Sequence, residues 1–292
     1  MQITPTILVN TFVNNVNTIQ QQLVQLEEES SSGTKYQYPQ DNPGAIAVTM
    51  DLNSVSGLIT NYQNATAQAQ DWLNAQASAL QQLTTLWNDV YSKAVEAQNG
   101  SMSPADRQAV IDQLTADQTT LSQILTTTFQ GQPLFDFNPA APLGPNPANQ
   151  PMVFEIGPGA SVTVNAIDPS VNQVNPAVPL DQQLQQDLTN LINTLSSPSF
   201  SPTSVNLTVL QQDLTSISSA QAVVGGRLAR VNQENQYLTQ LNQTLTATES
   251  SIDGANMAQV ASQLNLEEQA YQAALQTGAQ VLSISLLNYL HP

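Results

Sequence analysis

The side chains that usually carry chemistry are nearly absent from this chain of 292 residues. It has no cysteine, so it forms no disulfide, offers no thiol nucleophile and holds no thiolate-bound zinc. Its one histidine is His291, beside the C-terminus, which excludes a two-histidine metal site and leaves no histidine for an internal triad. Carboxylates are the one plentiful titratable group. Their runs, Glu27-Glu28-Glu29 and Glu267-Glu268, place neighbours that point apart on a helix and cannot converge on one ion, so they read as solvated helix faces. Gly157-Pro158-Gly159 is followed by no Walker lysine and reads as a hairpin turn rather than a phosphate loop. Trp72, Trp87 and Phe129 read as packing residues. The four Asn-X-Ser/Thr triplets, at Asn64, Asn99, Asn206 and Asn242, are what chance supplies in a chain this rich in Asn, Ser and Thr. No catalytic, cofactor-binding or metal-ligating residue is assigned. The expectation is a protein that is not an enzyme and needs no cofactor.

Charge narrows the partners. There are 22 acidic and 5 basic residues, a formal charge of −17. Lys35, Lys93, Arg107, Arg227 and Arg230 are the whole basic set, too few to displace counterions from nucleic acid or to hold an anionic membrane. No run of about 18 apolar residues marks a membrane span. The N-terminus lacks a basic region ahead of an apolar core, so a cleaved secretory signal is not expected, while a signal-less export route stays open.

What such a chain can do is pack, and its elements follow from proline placement and apolar period. Ten of the 17 prolines fall in residues 131–180, whereas 44–103 and 203–291 contain none. Two long helix-permitting arms therefore flank an irregular insert. In the first arm Val48, Leu52, Val55, Ile59, Tyr62, Thr66, Ala69, Leu73, Gln76, Leu80, Leu83, Trp87, Val90, Ala94 and Ala97 alternate spacings of four and three, with Thr66 and Gln76 polar. This coiled-coil period predicts a rod about 75 Å long, stopped at Asn99-Gly100. Ser103-Pro104-Ala105-Asp106 predicts a capped restart, with Ile111, Leu114, Leu121 and Leu125 as its seam and an antiparallel return. Val153–Ile156 and Ser161–Val164 predict a β-hairpin across Gly157–Ala160. Leu184, Leu188, Leu191 and Leu195 mark a helix over 181–195. A second long helix is predicted from about Ser204 to Ser251, on Val224, Leu228, Val231, Leu238, Leu241, Leu245 and Ile252, with Asn235 interrupting.

Each end adds a separate amphipathic helix, set off by breakers at Gly33–Pro43 and at Asp253-Gly254. Phe12, Val16, Ile19, Leu23 and Leu26 form the first stripe. Met257, Val260, Leu264, Leu282, Leu286 and Tyr289 form the second. Isolated stripes cannot bury themselves, so these eleven residues are the candidate assembly seam, requiring each other or further subunits. The fold class is mainly α: a long antiparallel helical bundle or coiled coil with paired terminal helices and a small insert containing a β-hairpin. The expected division is 1–43, 44–130, 131–202, 203–254 and 255–292.

Residues 32–45 add a resemblance. Ser32-Gly33-Thr34-Lys35 followed by Pro39-Gln40-Asp41-Asn42-Pro43-Gly44-Ala45 resembles the flagellin-family signature, in which Ser usually stands at the position of Gln40 and Asp at that of Asn42. Asn99–Arg107 resembles that family's helix-to-helix turn, Ile156–Asn165 its hairpin, Val224–Arg230 its returning helix, and Asn256-Met257-Ala258 the start of its last helix, where Asp usually stands at the position of Asn256. The ending Val281–Leu290, with Asn288-Tyr289-Leu290, is similar to that of the family's hook–filament junction members. The resemblance implies a structural subunit of the extracellular bacterial flagellum. It also implies export unfolded through the flagellar type III apparatus with a dedicated chaperone, and assembly as a ring with hook-associated proteins and flagellin. The terminal segments would then form an inner coiled-coil layer. A bulk filament subunit and a secreted helical adhesin or needle-tip protein are the alternatives.

Overall fold

The computed structural model describes residues 5–99, 102–135, 152–165, 172–175 and 178–290. The loop expected through 136–151 and 166–171, Gly100 of the predicted helix stop and His291 lie outside the described residues. Six helices dominate: α1 (Pro5–Ser32), α2 (Pro43–Ala97), α3 (Pro104–Leu125), α4 (Leu180–Ser196), α5 (Leu207–Asp253) and α6 (Met257–Leu290). Among the described residues two antiparallel hairpins lie between α3 and α4: β1 (Thr128–Phe129) with β2 (Gln132–Pro133), and β3 (Val153–Gly157) with β4 (Ala160–Thr163). The fold is mainly α, as the apolar periods require. The chain divides into two compact units, residues 1–57 with 241–292 and residues 58–240, so α2 and α5 each contribute to both.

The larger unit, 58–240, is built on the predicted seam of α2. From Ile59 to Ala97 that line is buried, apart from a half-buried Tyr62. Leu114 and Leu121 of α3, Leu184, Leu188, Leu191 and Leu195 of α4, and Leu210, Ile217, Val224 and Val231 of α5 complete one continuous core. Each buried leucine contributes about 1.5–3 kcal/mol of transfer energy. On α3 the buried line is Val110, Leu114, Leu121 and Ile124, with Ile111 and Leu125 beside it and half buried; the register predicted from Ile111 and Leu125 is off by one residue at both ends. Both tryptophans are core residues. Trp72 takes the edge of Phe129 at 5.2 Å and 90°, and the Trp87 indole Nε1 donates to the Leu210 carbonyl at 3.2 Å.

The two polar residues in the α2 seam hold the insert. Gln76, fully buried, donates through Nε2 to the Leu134 carbonyl at 2.7 Å, and Thr66 Oγ1 reaches the Ile156 carbonyl at 3.5 Å. What reads as two gaps in a coiled coil is where non-helical backbone docks and needs a partner. The predicted α3 cap is formed: Ser103 Oγ accepts the Asp106 N–H at 3.2 Å and Asp106 Oδ2 accepts the Ser103 N–H at 3.3 Å, with Pro104 at the first helical position. Arg107 covers the Phe200 ring at 4.9 Å. The β1–β2 hairpin was absent from the sequence reading, which placed strands only at β3 and β4. Its turn residues Gln130 and Gly131 have φ of 51° and 79°, the positive pair that a two-residue hairpin of right-handed twist demands.

Candidate assembly surface

The smaller unit, 1–57 with 241–292, contains both terminal helices, and α1 runs against α6. Phe12, Val16, Ile19, Leu23 and Leu26 all fall on the half-buried line of α1. On α6 Val260 is 4% exposed, Leu264 is half buried, and Met257 is 45% exposed in the single chain. Leu282, Leu286 and Tyr289 fall within the last turns of α6, where side chains lie outside the described residues. Two contacts fix the pairing. The Phe12 ring rests on the backbone of Gly278, where a Cβ would overlap three of its ring atoms. Gln20 Nε2 donates to the Tyr271 hydroxyl at 2.9 Å. Gly278 in mid-helix costs about 1 kcal/mol relative to alanine, and the close approach of an aromatic ring is what it allows.

The two breakers meet. Thr34 and Gly254 form an antiparallel bridge, framed by the Lys35 N–H to the Asp253 carbonyl at 2.7 Å and the Ala255 N–H to the Gly33 carbonyl at 2.9 Å. The buried Asp253 carboxylate accepts the Tyr36 N–H at 2.8 Å. Gly33, at φ 75°, takes the left-handed conformation that ends α1, and a Cβ on Gly254 would strike the Ser250 carbonyl. The chain thus leaves α1 and enters α6 through one bridged junction. The segment that follows is a run of caps. Asp41 Oδ2 accepts the N–H groups of Tyr38 at 2.9 Å and Gln37 at 3.2 Å, and Asn42 Oδ1 accepts the Ala45 N–H at 3.1 Å, with Pro43 opening α2.

A two-helix pair covers one side of each member. Val13, Val24 and Leu266 are 46%, 54% and 62% exposed, and Val48, Met50 and Val55 at the start of α2 are exposed as well. An open groove of about 820 Å³ beside α1 is lined by residues that include Gln20, Glu28, Lys35, Tyr38, Asp41 and Tyr271. Among the described residues no group of three or more His, Asp or Glu side chains could hold a metal ion, and no helix is long and apolar enough to cross a membrane. The arrangement offers exposed apolar surface and capped junctions.

Residues 3–139 match the model of the bacterial flagellin N-terminal helical region. This part of the chain is similar to the flagellin family. A B-type flagellin of Pseudomonas aeruginosa is 32% identical over 131 residues, 44% of this chain. The chain matches only 25% of that relative's length. A solved structure described as a flagellar hook-associated protein from Vibrio parahaemolyticus is similar over 73% of this chain and all of its own, with a TM-score of 0.60 and 15% identity, a likeness of fold. The flagellin resemblance of residues 32–45 and 99–107 falls inside the matched region.

Proposed function

We propose that this chain is a structural subunit of the bacterial flagellum that forms the layer between hook and filament, assembled through its terminal helices and without catalytic activity. The observation that carries the reading is the α1–α6 pair, joined at one bridged junction, which still exposes Val13, Val24 and Leu266. Exposed apolar residues on an already paired helix are surface that further subunits can cover. The ending Val281–Leu290, through its resemblance to junction members, supports the junction position over the bulk filament. On this reading the chain leaves the cell through the flagellar export apparatus, escorted by a chaperone, and closes a ring with hook-associated proteins and flagellin on either side.

A specific observation favours the bulk filament subunit instead: a relative 32% identical over 131 residues is itself a flagellin. Labelling detached flagella with an antibody to residues 58–240 separates the two. A single spot at the hook end is expected; label along the whole filament identifies a flagellin. In the same strain Val260→Asp puts a carboxylate on a position 4% exposed, at a cost of several kcal/mol unless it protonates. It should abolish the spot while the secreted chain keeps its buried tryptophan fluorescence. Normal labelling and motility in that strain would remove the terminal helices from the assembly surface.

A further inference from the structure

Asp213 sits on α5 inside the core of the larger unit and is fully buried. Leu210 and Ile217, three residues before and four after, share its helix face and are buried with it. Neither carboxyl oxygen of Asp213 meets a hydrogen-bond donor. The polar group beside it is a second carboxyl, that of Asp187 on α4. Asp187 already accepts Gln183 Nε2 at 2.5 Å and is flanked by Asn190. Among the described residues, no other charged side chain acts on Asp213; the cation of α2, Lys93, is taken by Asp89 and Asp117. Two carboxylates with no donor between them would place an uncompensated charge in the core beside a like charge. One proton between them turns the same geometry into an O–H···O⁻ hydrogen bond, a short and strong kind.

We propose that Asp213 and Asp187 hold a single proton between them at neutral pH, and that this proton locks α4 onto α5, so that the larger unit loosens when the proton leaves. Asp213 is the acid and donates to Asp187, whose remaining lone pairs take Gln183. Burial, and then the neighbouring Asp187 charge, push Asp213 from the usual 3.8 up to about 8. Burial also raises Asp187, against the hydrogen bonds it accepts. The values belong to the pair as a unit. Because the folded-state value is raised, the folded protein binds one proton more than the unfolded chain between about pH 4 and pH 8. The stability this gives is whole below the unfolded value and is lost as pH rises through the folded one. The device therefore strengthens the subunit in acid and weakens it in alkali.

The test uses the full chain, with the two buried tryptophans, both in the larger unit, as the reporter of urea unfolding at fixed ionic strength from pH 5 to pH 8. In the wild type the folding constant should fall close to tenfold for each pH unit from pH 5 to pH 7 and less steeply toward pH 8. Asp213→Asn keeps the shape and has no proton to lose, so its slope should be flatter by most of that tenfold. Carboxyl ¹³C titration of the wild type should show one aspartate with a midpoint above pH 6 that is missing from Asp213→Asn. An unfolding midpoint equal at pH 5 and pH 7.5, or a variant that keeps the wild-type slope, overturns the proposal. Should Asp213→Asn fail to fold, the wild-type titration decides alone, and every carboxyl titrating below pH 5 rejects it.

Discussion

The Phe12–Gly278 contact makes a test in which the sign of an effect, not only its size, is fixed by geometry. Alanine in place of glycine inside a helix normally stabilises by about 1 kcal/mol. At position 278 the new methyl would occupy space held by the Phe12 ring, and overpacking of that kind costs about 1–3 kcal/mol. Gly278→Ala should therefore weaken the α1–α6 pair by roughly 0–2 kcal/mol, the balance of those two terms. Phe12→Leu shortens the side chain that stands in the way. In that background the methyl has room, and Gly278→Ala should stabilise by about 1 kcal/mol, the propensity gain alone. The double-mutant cycle then gives a coupling of about 1–3 kcal/mol between residues 266 positions apart in sequence. A glutamate-specific protease under native conditions reads the opening of the pair, because Glu27–Glu29 lie on α1 and Glu267-Glu268 on α6. Cleavage should speed up in Gly278→Ala and slow down when the same change is made on Phe12→Leu. Slower cleavage of Gly278→Ala in the wild-type background, or an equal effect in both backgrounds, would refute the ring-on-glycine packing.

Two further outcomes follow from the larger unit. Leu83→Ala, at a fully buried position, should cost about 2–5 kcal/mol, lowering the tryptophan-monitored Tm by roughly 5–15 °C. Lys93→Met should cost about 2 kcal/mol at pH 7, because Lys93 Nζ bridges Asp89 at 2.5 Å and Asp117 at 2.6 Å and the change leaves the largely covered Asp117 without its cation; burial pulls Lys93 down, but its two aspartate partners outweigh burial and hold it above 10.5, so this contribution is whole at neutral pH and lost only as pH climbs past that value.

Helices were legible in the sequence wherever burial follows the apolar period. The α2 line from Ile59 to Ala97, the four leucines of α4 and the capping box at Ser103 all stand where spacing puts them. The misreadings have physical causes. The α3 register slipped because Val110-Ile111 and Ile124-Leu125 are apolar doublets, and a doublet does not say which member faces the core. The β1–β2 hairpin is only two residues a side, too short for any alternation, and Gln130-Gly131 was its single signal. Thr66 and Gln76 were visible as interruptions, but a pattern of one helix cannot show that another segment brings a carbonyl to each. Asp213 was hidden for the same reason: an aspartate on a long polar helix reads as solvated.

The motif residues and the departures from them can be judged by what each side chain does. In the 39–45 segment the position that differs without consequence is Gln40, which is exposed within the turn that Asp41 closes. Asn42 replaces the commoner aspartate at a working position, and it keeps the work: its Oδ1 caps α2 through the Ala45 N–H. Asn256, where aspartate is usual in the resemblance, accepts the Gln259 N–H at 3.3 Å and opens α6 in the same way. Asparagine and aspartate are near equals as N-caps because the capping acceptor is an oxygen in both. What the amide gives up is charge, and with it a dipole interaction of about 0.3–1 kcal/mol that salt or a proton can remove. Two helix starts on either side of the bridged junction thus depend on acceptors that no change of pH can protonate in the ordinary range. Asp253, between them, keeps its carboxylate, and it is the one of the three that is buried and bound to backbone across the bridge. The junction from which both terminal helices spring is held by backbone hydrogen bonds, the Asp253 carboxylate and asparagine caps, while the pH response proposed for this chain lies in the core of the other unit.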